Sequence, residues 1–332
     1  MLPAQARLVA VGGFTTDALP ALWQAGVRAV GIGTDLYRPG HAADEGGRRA
    51  RHWLQALRAV PASGVRLACD AGTLVGESPV VLDDGRVAWV EPTAPALLHW
   101  DGQACVRTPL SEPVWSLAVT PQGLVGNGET HFLRIADDGG LQPGPTIDVG
   151  AGCRLNDMTV DARGGLWAGS MHRGLLGGRG ALFHATAVDA PVRRVAEGLG
   201  VANGMVFSPA GDTLYVIDTL ARTLLAYPAD VAAGTLGEPK VVTDFLGEAG
   251  KPDGLALSPQ GSLWVAMWGG ACVLELAANG AVQRRLAIPA PHVGALCFAP
   301  DGRLFITTAR ARLGPDALQR APGSGGLFIA TP

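Results

Sequence analysis

Four residues of this chain, Glu77, Asn156, Asn203 and Asp253, carry side-chain oxygens and share one phase: each stands eight residues before a turn glycine, Gly85, Gly164, Gly211 and Gly261. Converging carboxylate and amide oxygens are what a hard divalent cation requires. Two carboxylates neutralise such an ion, whereas without it they repel each other at close range. Singly, each residue has an ordinary explanation. Asn203-Gly204 and Asp253-Gly254 are common turn dipeptides, and an isolated Glu77 in a loop is normally solvated. Together they are harder to dismiss, because independent turns have no reason to place oxygen donors at one phase. Trp115 and Gly294 occupy the same phase before Gly123 and Gly302.

The elements that position these residues repeat. A short apolar strand, a Pro- or Asp-containing turn with glycine and a second apolar strand recur as Pro79–Leu82 with Val87–Val90, and as Val114–Val119 with the residues after Gly123. The pattern returns as Met158–Val160 with Leu166–Ala168, Met205–Phe207 with Leu214–Ile217, Leu255–Leu257 with Leu263–Ala266, and Leu296–Phe298 with Leu304–Thr307. The turn glycines lie 38 to 50 residues apart. Repeats of that length carrying several strands each predict propeller blades, and six turns predict an all-β, six-bladed β-propeller. The ring has to close on itself to hide its edges, so Arg66–Cys69 and Gly326–Ala330 are expected to pair. Trp115, Trp167, Trp264 and Trp268 are expected to pack between blades, with Trp115 and Trp268 also able to wall a pocket.

Composition agrees with a turn-rich globular chain. Of 332 residues 47 are Gly and 24 Pro, yet 48% are hydrophobic, which excludes disorder and collagen. A net charge of −3 gives no basic excess of the kind that draws a protein to nucleic acid or anionic lipid. The cysteines Cys69, Cys105, Cys153, Cys272 and Cys297 are odd in number and widely spaced, so reduced thiols are expected rather than a disulfide framework. Residues 1–30 lack the pattern of a secretory signal and no long apolar run appears, which predicts a soluble cytoplasmic protein.

The chain resembles the regucalcin/gluconolactonase (senescence marker protein) family of six-bladed lactonases. The resemblance runs from about Arg66 to Pro332 and is carried by Gly76-Glu77-Ser78-Pro79-Val80, by Arg154-Leu155-Asn156-Asp157, and by Trp167-Ala168-Gly169-Ser170-Met171. Asn203-Gly204 with Leu214-Tyr215-Val216-Ile217-Asp218 also resembles it, as does Pro252-Asp253-Gly254 with Leu263-Trp264-Val265-Ala266-Met267-Trp268-Gly269-Gly270. The resemblance implies that Glu77, Asn203 and Asp253 bind one divalent metal ion, and that Arg154 and Asn156 hold the oxygens of a sugar lactone. It implies metal-assisted ester hydrolysis, with the lactone carbonyl polarised and Asp253 helping to take a proton from the attacking water. Oxygen ligands do not distinguish calcium, zinc, manganese, magnesium and iron.

Two stretches depart from the family. His172-Arg173-Gly174 stand where an acidic residue is common, and Gly294-Ala295 replace a small polar pair. For Arg154 the alternative role is a salt bridge between blades. His172 reads as a rim histidine rather than a ligand.

Residues 1–62 follow a different grammar from residues 63–332. Leu8–Val11 and Val27–Gly33 read as strands, Thr15–Gly26 and Ala42–Leu57 as helices, making two βα units. Val9-Ala10-Val11-Gly12-Gly13-Phe14-Thr15 and the stretch Gly31 to Gly40 resemble the end of a 2-keto-3-deoxy-6-phosphogluconate or phosphogalactonate aldolase barrel, where glycine-rich loops cradle a phosphate. Such an aldolase needs a Schiff-base lysine, and the chain's lysines are Lys240 and Lys251, so the segment is expected to be inactive and available for docking or self-association. The pairing of aldolase and lactonase likenesses points to galactonolactone or gluconolactone as substrate. The alternative from another class is a non-catalytic propeller that binds a cation or a partner.

Overall fold

The computed structural model describes residues 8–19, 22, 27–33, 36, 43–59 and 64–332. The chain divides into two compact units, one reaching Gly64 and one running from Val65 to Ala330. In the first, Leu8–Val11 pairs in parallel with Val27–Gly31, and a helix spans Ala43–Ala59. Leu19 and Trp53 form its small core with Phe14, Val30, Ile32, Leu36 and Ala56. Of the helix expected over Thr15–Gly26, Thr16–Ala18 is a 3-10 turn, and much of the rest lies outside the described residues. So do Thr34, Asp35 and Tyr37 to Gly40 of the expected phosphate loop.

The second unit is almost wholly antiparallel strand. Four separate sheets begin with Glu77–Val81, Ser116–Thr120, Cys153–Val160 and Ala202–Phe207, and the strands follow chain order from that first strand outward, except that in the fourth sheet Thr223–Asp230 pairs with both Thr235–Leu236 and Lys240–Asp244. Two further runs begin with Lys251–Leu257 and His292–Phe298 and form one eight-stranded sheet, joined by the single pair Trp268 with His292. The rings of those two residues stack, 4.6 Å apart and 6° from parallel. The expected closure is present: Leu327–Ala330 pairs antiparallel with Arg66–Cys69, so the first strand of the unit is laid against its last.

All the first strands touch one another in cyclic order, from Glu77–Val81 round to His292–Phe298 and back to Glu77–Val81, which makes the arrangement propeller-like. The turn glycines between first and second strands adopt φ from 73° to 110°. A residue with a Cβ is strained in that region, which is why this position is glycine in every repeat.

The cores lie between the faces of neighbouring sheets. One joins Phe132 to Leu155, Met158 and Phe183; another joins Trp167 and Leu182 to Phe207, Leu214 and Tyr227. Trp264 is packed with Phe328 across the junction of the two runs. Burial decides how each strand reads: Val87–Glu91 is buried along its whole length and Leu166–His172 nearly so, giving continuous apolar runs, while the outermost Cys105–Pro109 and Val282–Ala287 are largely exposed. All five cysteines are free thiols. A short helix at Pro315–Arg320, inside the long loop between Leu304–Ala309 and Leu327–Ala330, has no counterpart in the sequence reading. Two turns of helix are too few for an apolar period to register.

Candidate active site

The four oxygen-bearing residues are presented by irregularities of one kind. Asn156-Asp157 oppose a single residue, Gly169, between the pairs Leu155 with Ser170 and Met158 with Ala168. Asn203-Gly204 do the same between Ala202 and Met205, and Asp253-Gly254 between Pro252 and Leu255. In the first sheet the bulge follows Glu77 and takes in Ser78-Pro79; in the last it falls at Gly294. A bulge inserts one unpaired residue, bends its strand and re-aims a side chain. The repeat phase counted from the turn glycine is therefore the phase at which five of the six first strands break their ladder. Ser116–Thr120 is the exception: it stays in register, and Trp115 lies just before it. Ser78 sits at φ 51°, and its hydroxyl accepts from the Leu117 amide at 2.8 Å and meets the Ser116 hydroxyl at 2.9 Å. Those contacts offset the strain of a left-handed residue other than glycine.

Close packing holds the bulges together. A Cβ on Gly204 would fall 2.2 Å from the Leu255 amide nitrogen, and one on Gly254 would fall 2.7 Å from the Ala295 Cα. At Gly294 a Cβ would come 3.3 and 3.4 Å from the two carboxylate oxygens of Glu77, so that carboxylate lies over a bare stretch of the last first-strand. Asn203 Nδ2 donates to the Asp253 carboxylate and to Thr219 Oγ1, and Thr219 in turn donates to the Pro252 carbonyl at 2.8 Å. Asn203 and Asp253, fifty residues apart in sequence, are thereby in direct contact.

Electrostatics divide the site. Burial pushes the Glu77 carboxyl well above the ordinary carboxylate range, and the charges of Asp253 and Asp157 push it further. Asp253, 7% exposed, is raised in the same way by burial and by Asp157. Asp157 is also raised by burial, although the Ser116 hydroxyl, at 2.6 Å, and the Met158 amide donate to it. Arg154 stands on the opposite footing. Its guanidinium lies 3.3 Å from the centroid of the Trp115 ring and donates to the Leu155 carbonyl at 2.7 Å and to Asn156 Oδ1 at 2.9 Å. Desolvation lowers its pKa to about 10. The salt bridge between blades is not what it makes: its partners are an aromatic face, a carbonyl and an amide. Asn156 is held from both sides, donating to the Ala202 carbonyl while its own carbonyl accepts from Asn127 Nδ2.

The donor set fits a hard cation. Asp253 disfavours the charge of Glu77, and Asp157 disfavours the charge of both, a cost that a divalent ion removes. Among the described residues no group of three or more His, Cys, Asp and Glu side chains gathers closely enough to hold a metal; the Asn203 amide, in contact with Asp253, is the further oxygen donor beside these carboxylates. Asp157, Ser116 and Ser78 are members of this network that sequence phase did not single out. Asp157 follows Asn156 directly, and the signal that could have found it is the two-residue width of the bulge. Trp167 and Trp264 are buried between sheets as expected, whereas Trp115 stacks on Arg154 and Trp268 on His292.

The fold agrees with what known proteins show. Residues 75–310 match the SMP-30/Gluconolactonase/LRE-like region model, and the chain belongs to that family. It is 30% identical over 294 residues to the L-arabinolactonase of Azospirillum brasilense, covering 81% of this chain and 92% of that protein. Among solved structures it is similar to the regucalcin of Agrobacterium tumefaciens, described as a calcium-binding protein, with a TM-score of 0.74 and 24% identity over 80% of this chain and 93% of that one. A gluconolactonase of Xanthomonas campestris gives a TM-score of 0.65 and 22% identity over 80% and 88%. At such identities the structural likenesses speak for the fold.

Proposed function

We propose that this protein is a hydrolase of carboxylic esters that opens aldonolactones to aldonic acids with the help of one divalent cation. The observation that carries the reading is Arg154: a desolvated guanidinium with no carboxylate ion pair, stacked on Trp115, beside carboxylates raised by burial and by one another. A site that bound only a cation would have no use for such an arginine. Glu77, Asn203 and Asp253 would hold the ion. When bound, the cation supplies Lewis-acid polarisation of the lactone carbonyl and charge stabilisation of the oxyanion. Arg154 and Asn156 bind the sugar oxygens and orient the ring. Asp253 accepts a proton from the attacking water as the new C–O bond forms and returns it to the ring oxygen as the ring C–O bond breaks, so that oxygen leaves as a hydroxyl.

Galactonolactone and gluconolactone are the first candidates for substrate, with pentonolactones next, a class to which the likeness to L-arabinolactonase adds weight. We read the fold as six-bladed, a reading supported by the cyclic contact of the first strands and by a junction of only one residue pair inside the eight-stranded sheet. The segment before residue 63 we read as a separate, catalytically inactive aldolase-tail-like unit. A second reading, a propeller that binds a cation without turnover, is favoured by the calcium-binding description of the regucalcin of Agrobacterium tumefaciens. The deciding experiment is hydrolysis of a panel of lactones followed by acid release, before and after chelation. Turnover that chelation abolishes and a divalent salt restores is the expected result. Full activity after complete metal removal would exclude the cation from the mechanism, and no turnover of any lactone would leave the binding protein.

A further inference from the structure

The hydroxyl of Thr219 stands between two of the segments proposed to hold the cation. Thr219 directly follows Thr213–Asp218, the second strand of its sheet. Its backbone amide donates to the Val201 carbonyl at 3.1 Å, which fixes it beside the bulge that carries Asn203. Asp218, 6% exposed, braces the same corner: its carboxylate accepts from the amides of Gly200, Val201, Leu220 and Ala221 at 2.8 to 3.2 Å. A Cβ on Gly200 would fall 2.9 Å from Asp218 Oδ1 and 2.7 Å from the Leu220 Cβ, so the two segments meet with no side chain between them. Hydrogen bonds to an ionised carboxylate are the strong kind, and four of them make the corner that carries Thr219 a firm support.

The direction of each hydrogen bond then decides which way Asn203 faces. Thr219 Oγ1 donates its one hydrogen to the Pro252 carbonyl at 2.8 Å, in the next sheet and one residue before Asp253. What the hydroxyl offers Asn203 is therefore lone pairs alone, and Asn203 Nδ2 donates to them at 3.1 Å. The second donor contact of that nitrogen goes to the Asp253 carboxylate. Among the described residues no group donates to Asn203 Oδ1. An amide rotated by half a turn would set Oδ1 against the Thr219 oxygen and the Asp253 carboxylate, acceptor against acceptor. A hard cation takes an amide through its carbonyl oxygen, so this rotation decides whether Asn203 is a ligand at all.

We infer that Thr219 is a positioning residue of the cation site: its hydroxyl, committed to the Pro252 carbonyl, holds the Asn203 amide nitrogen and leaves Oδ1 as the atom presented to the ion. Because the same hydroxyl spans from Asn203 to the residue before Asp253, it also sets the spacing of these two residues across the boundary between sheets. The inference rests on the reading of Asn203 and Asp253 as ligands of one divalent cation and deepens it.

The test measures cation affinity first and turnover second. The full chain is stripped of metal and titrated by calorimetry with the chlorides of calcium, magnesium, manganese and zinc in separate runs. Thr219→Val keeps the shape of the side chain and removes the hydroxyl. It is expected to weaken binding of the cation that wild type takes up by about 10- to 100-fold, the range for loss of a group that orients a metal ligand. Thr219→Ser keeps the hydroxyl and should recover most of that affinity. Lactone hydrolysis by Thr219→Val should fall at low cation and return to within a few-fold of wild type in excess salt, with KM for the lactone little changed. If Thr219→Val does not fold, Thr219→Ala carries the test by the same comparison. An equal loss in Thr219→Ser, or a loss of turnover that excess cation does not repair, overturns the assignment. Wild type that binds none of the four cations overturns the metal reading and this inference with it, whereas wild type and Thr219→Val that bind a cation equally well overturn this inference alone.

Discussion

Two sides of the site meet opposite electrostatic problems. On the Arg154 side the chain supplies every partner: an indole face, a carbonyl and an amide. On the Asp253 side it does not. Glu77, Asp157 and Asp253 are desolvated; Asp157 raises both Glu77 and Asp253, and Asp253 raises Glu77, while the one opposing charge, Arg154, acts on Glu77 without outweighing burial. The difference separates a half whose charges are met from within the chain from one whose charges are met only in part: buried charge that is poorly compensated is costly, and carboxylates in that position take up a proton or a metal.

The comparison breaks most sharply at Asp253. Asp253→Asn removes both a ligand charge and the proton acceptor, so kcat/KM for lactone hydrolysis should fall on the order of 10³-fold or more, with cation affinity falling in parallel by calorimetry. If activity survives while cation binding is lost, the carboxylate side is not the reacting side.

Chelation combined with pH comes next. In the folded chain Glu77 and Asp253 bind protons more tightly than in the unfolded chain. Between the ordinary carboxylate range and their raised values, the folded state holds protons that the unfolded state has released, so stability falls as pH rises through that window. The Tm of chelated protein should therefore drop as pH rises above the ordinary carboxylate range, toward the raised values of these two groups. A divalent cation should raise Tm most at the alkaline end, because the ligands bind it deprotonated. A flat profile would mean that these carboxylates are compensated from within the chain, like the arginine side.

Smaller effects belong to the Arg154 side. Arg154→Met should cost about 10²-fold in kcat/KM through loss of charge-assisted bonds to substrate, while leaving the cation affinity of Glu77, Asn203 and Asp253 within a few-fold. Trp115→Leu should cost about 10-fold, the scale of a desolvated cation–π contact, read as a rise in KM. A larger loss for Trp115→Leu than for Arg154→Met would mean that the indole wall, and not the guanidinium, meets the substrate.

Much of this was legible in the amino-acid order, and for one reason. A propeller repeats, so turn glycines at equal phase mark equal height around the ring, and Glu77, Asn156, Asn203 and Asp253 could be placed together by counting. In the structure Asn203 contacts Asp253, and Asn156 contacts Ala202, the neighbour of Asn203 in sequence. Counting failed where a residue belongs to a different loop of its repeat. Thr219 stands after the second strand of its repeat, far from the phase of the first strands. Its bond to the Pro252 carbonyl crosses from one sheet to the next over 33 positions of chain. Trp115 was marked by phase, but its stack with Arg154 was not, because a side-chain contact between neighbouring sheets leaves no periodicity behind.

By itself, then, the order of residues determined the repeat, the closure of Arg66–Cys69 on Leu327–Ala330, the turn geometry and the common phase of the oxygen donors, because these follow from local backbone rules applied once per repeat. Only the tertiary structure decided that Asn156, Asn203 and Asp253 sit on bulges, that the charge of Asp157 acts on both Glu77 and Asp253, and that Arg154 rests on an indole instead of pairing with a carboxylate. Burial and charge depend on everything that packs nearby, and the chain assembles those neighbours from strands far apart in sequence.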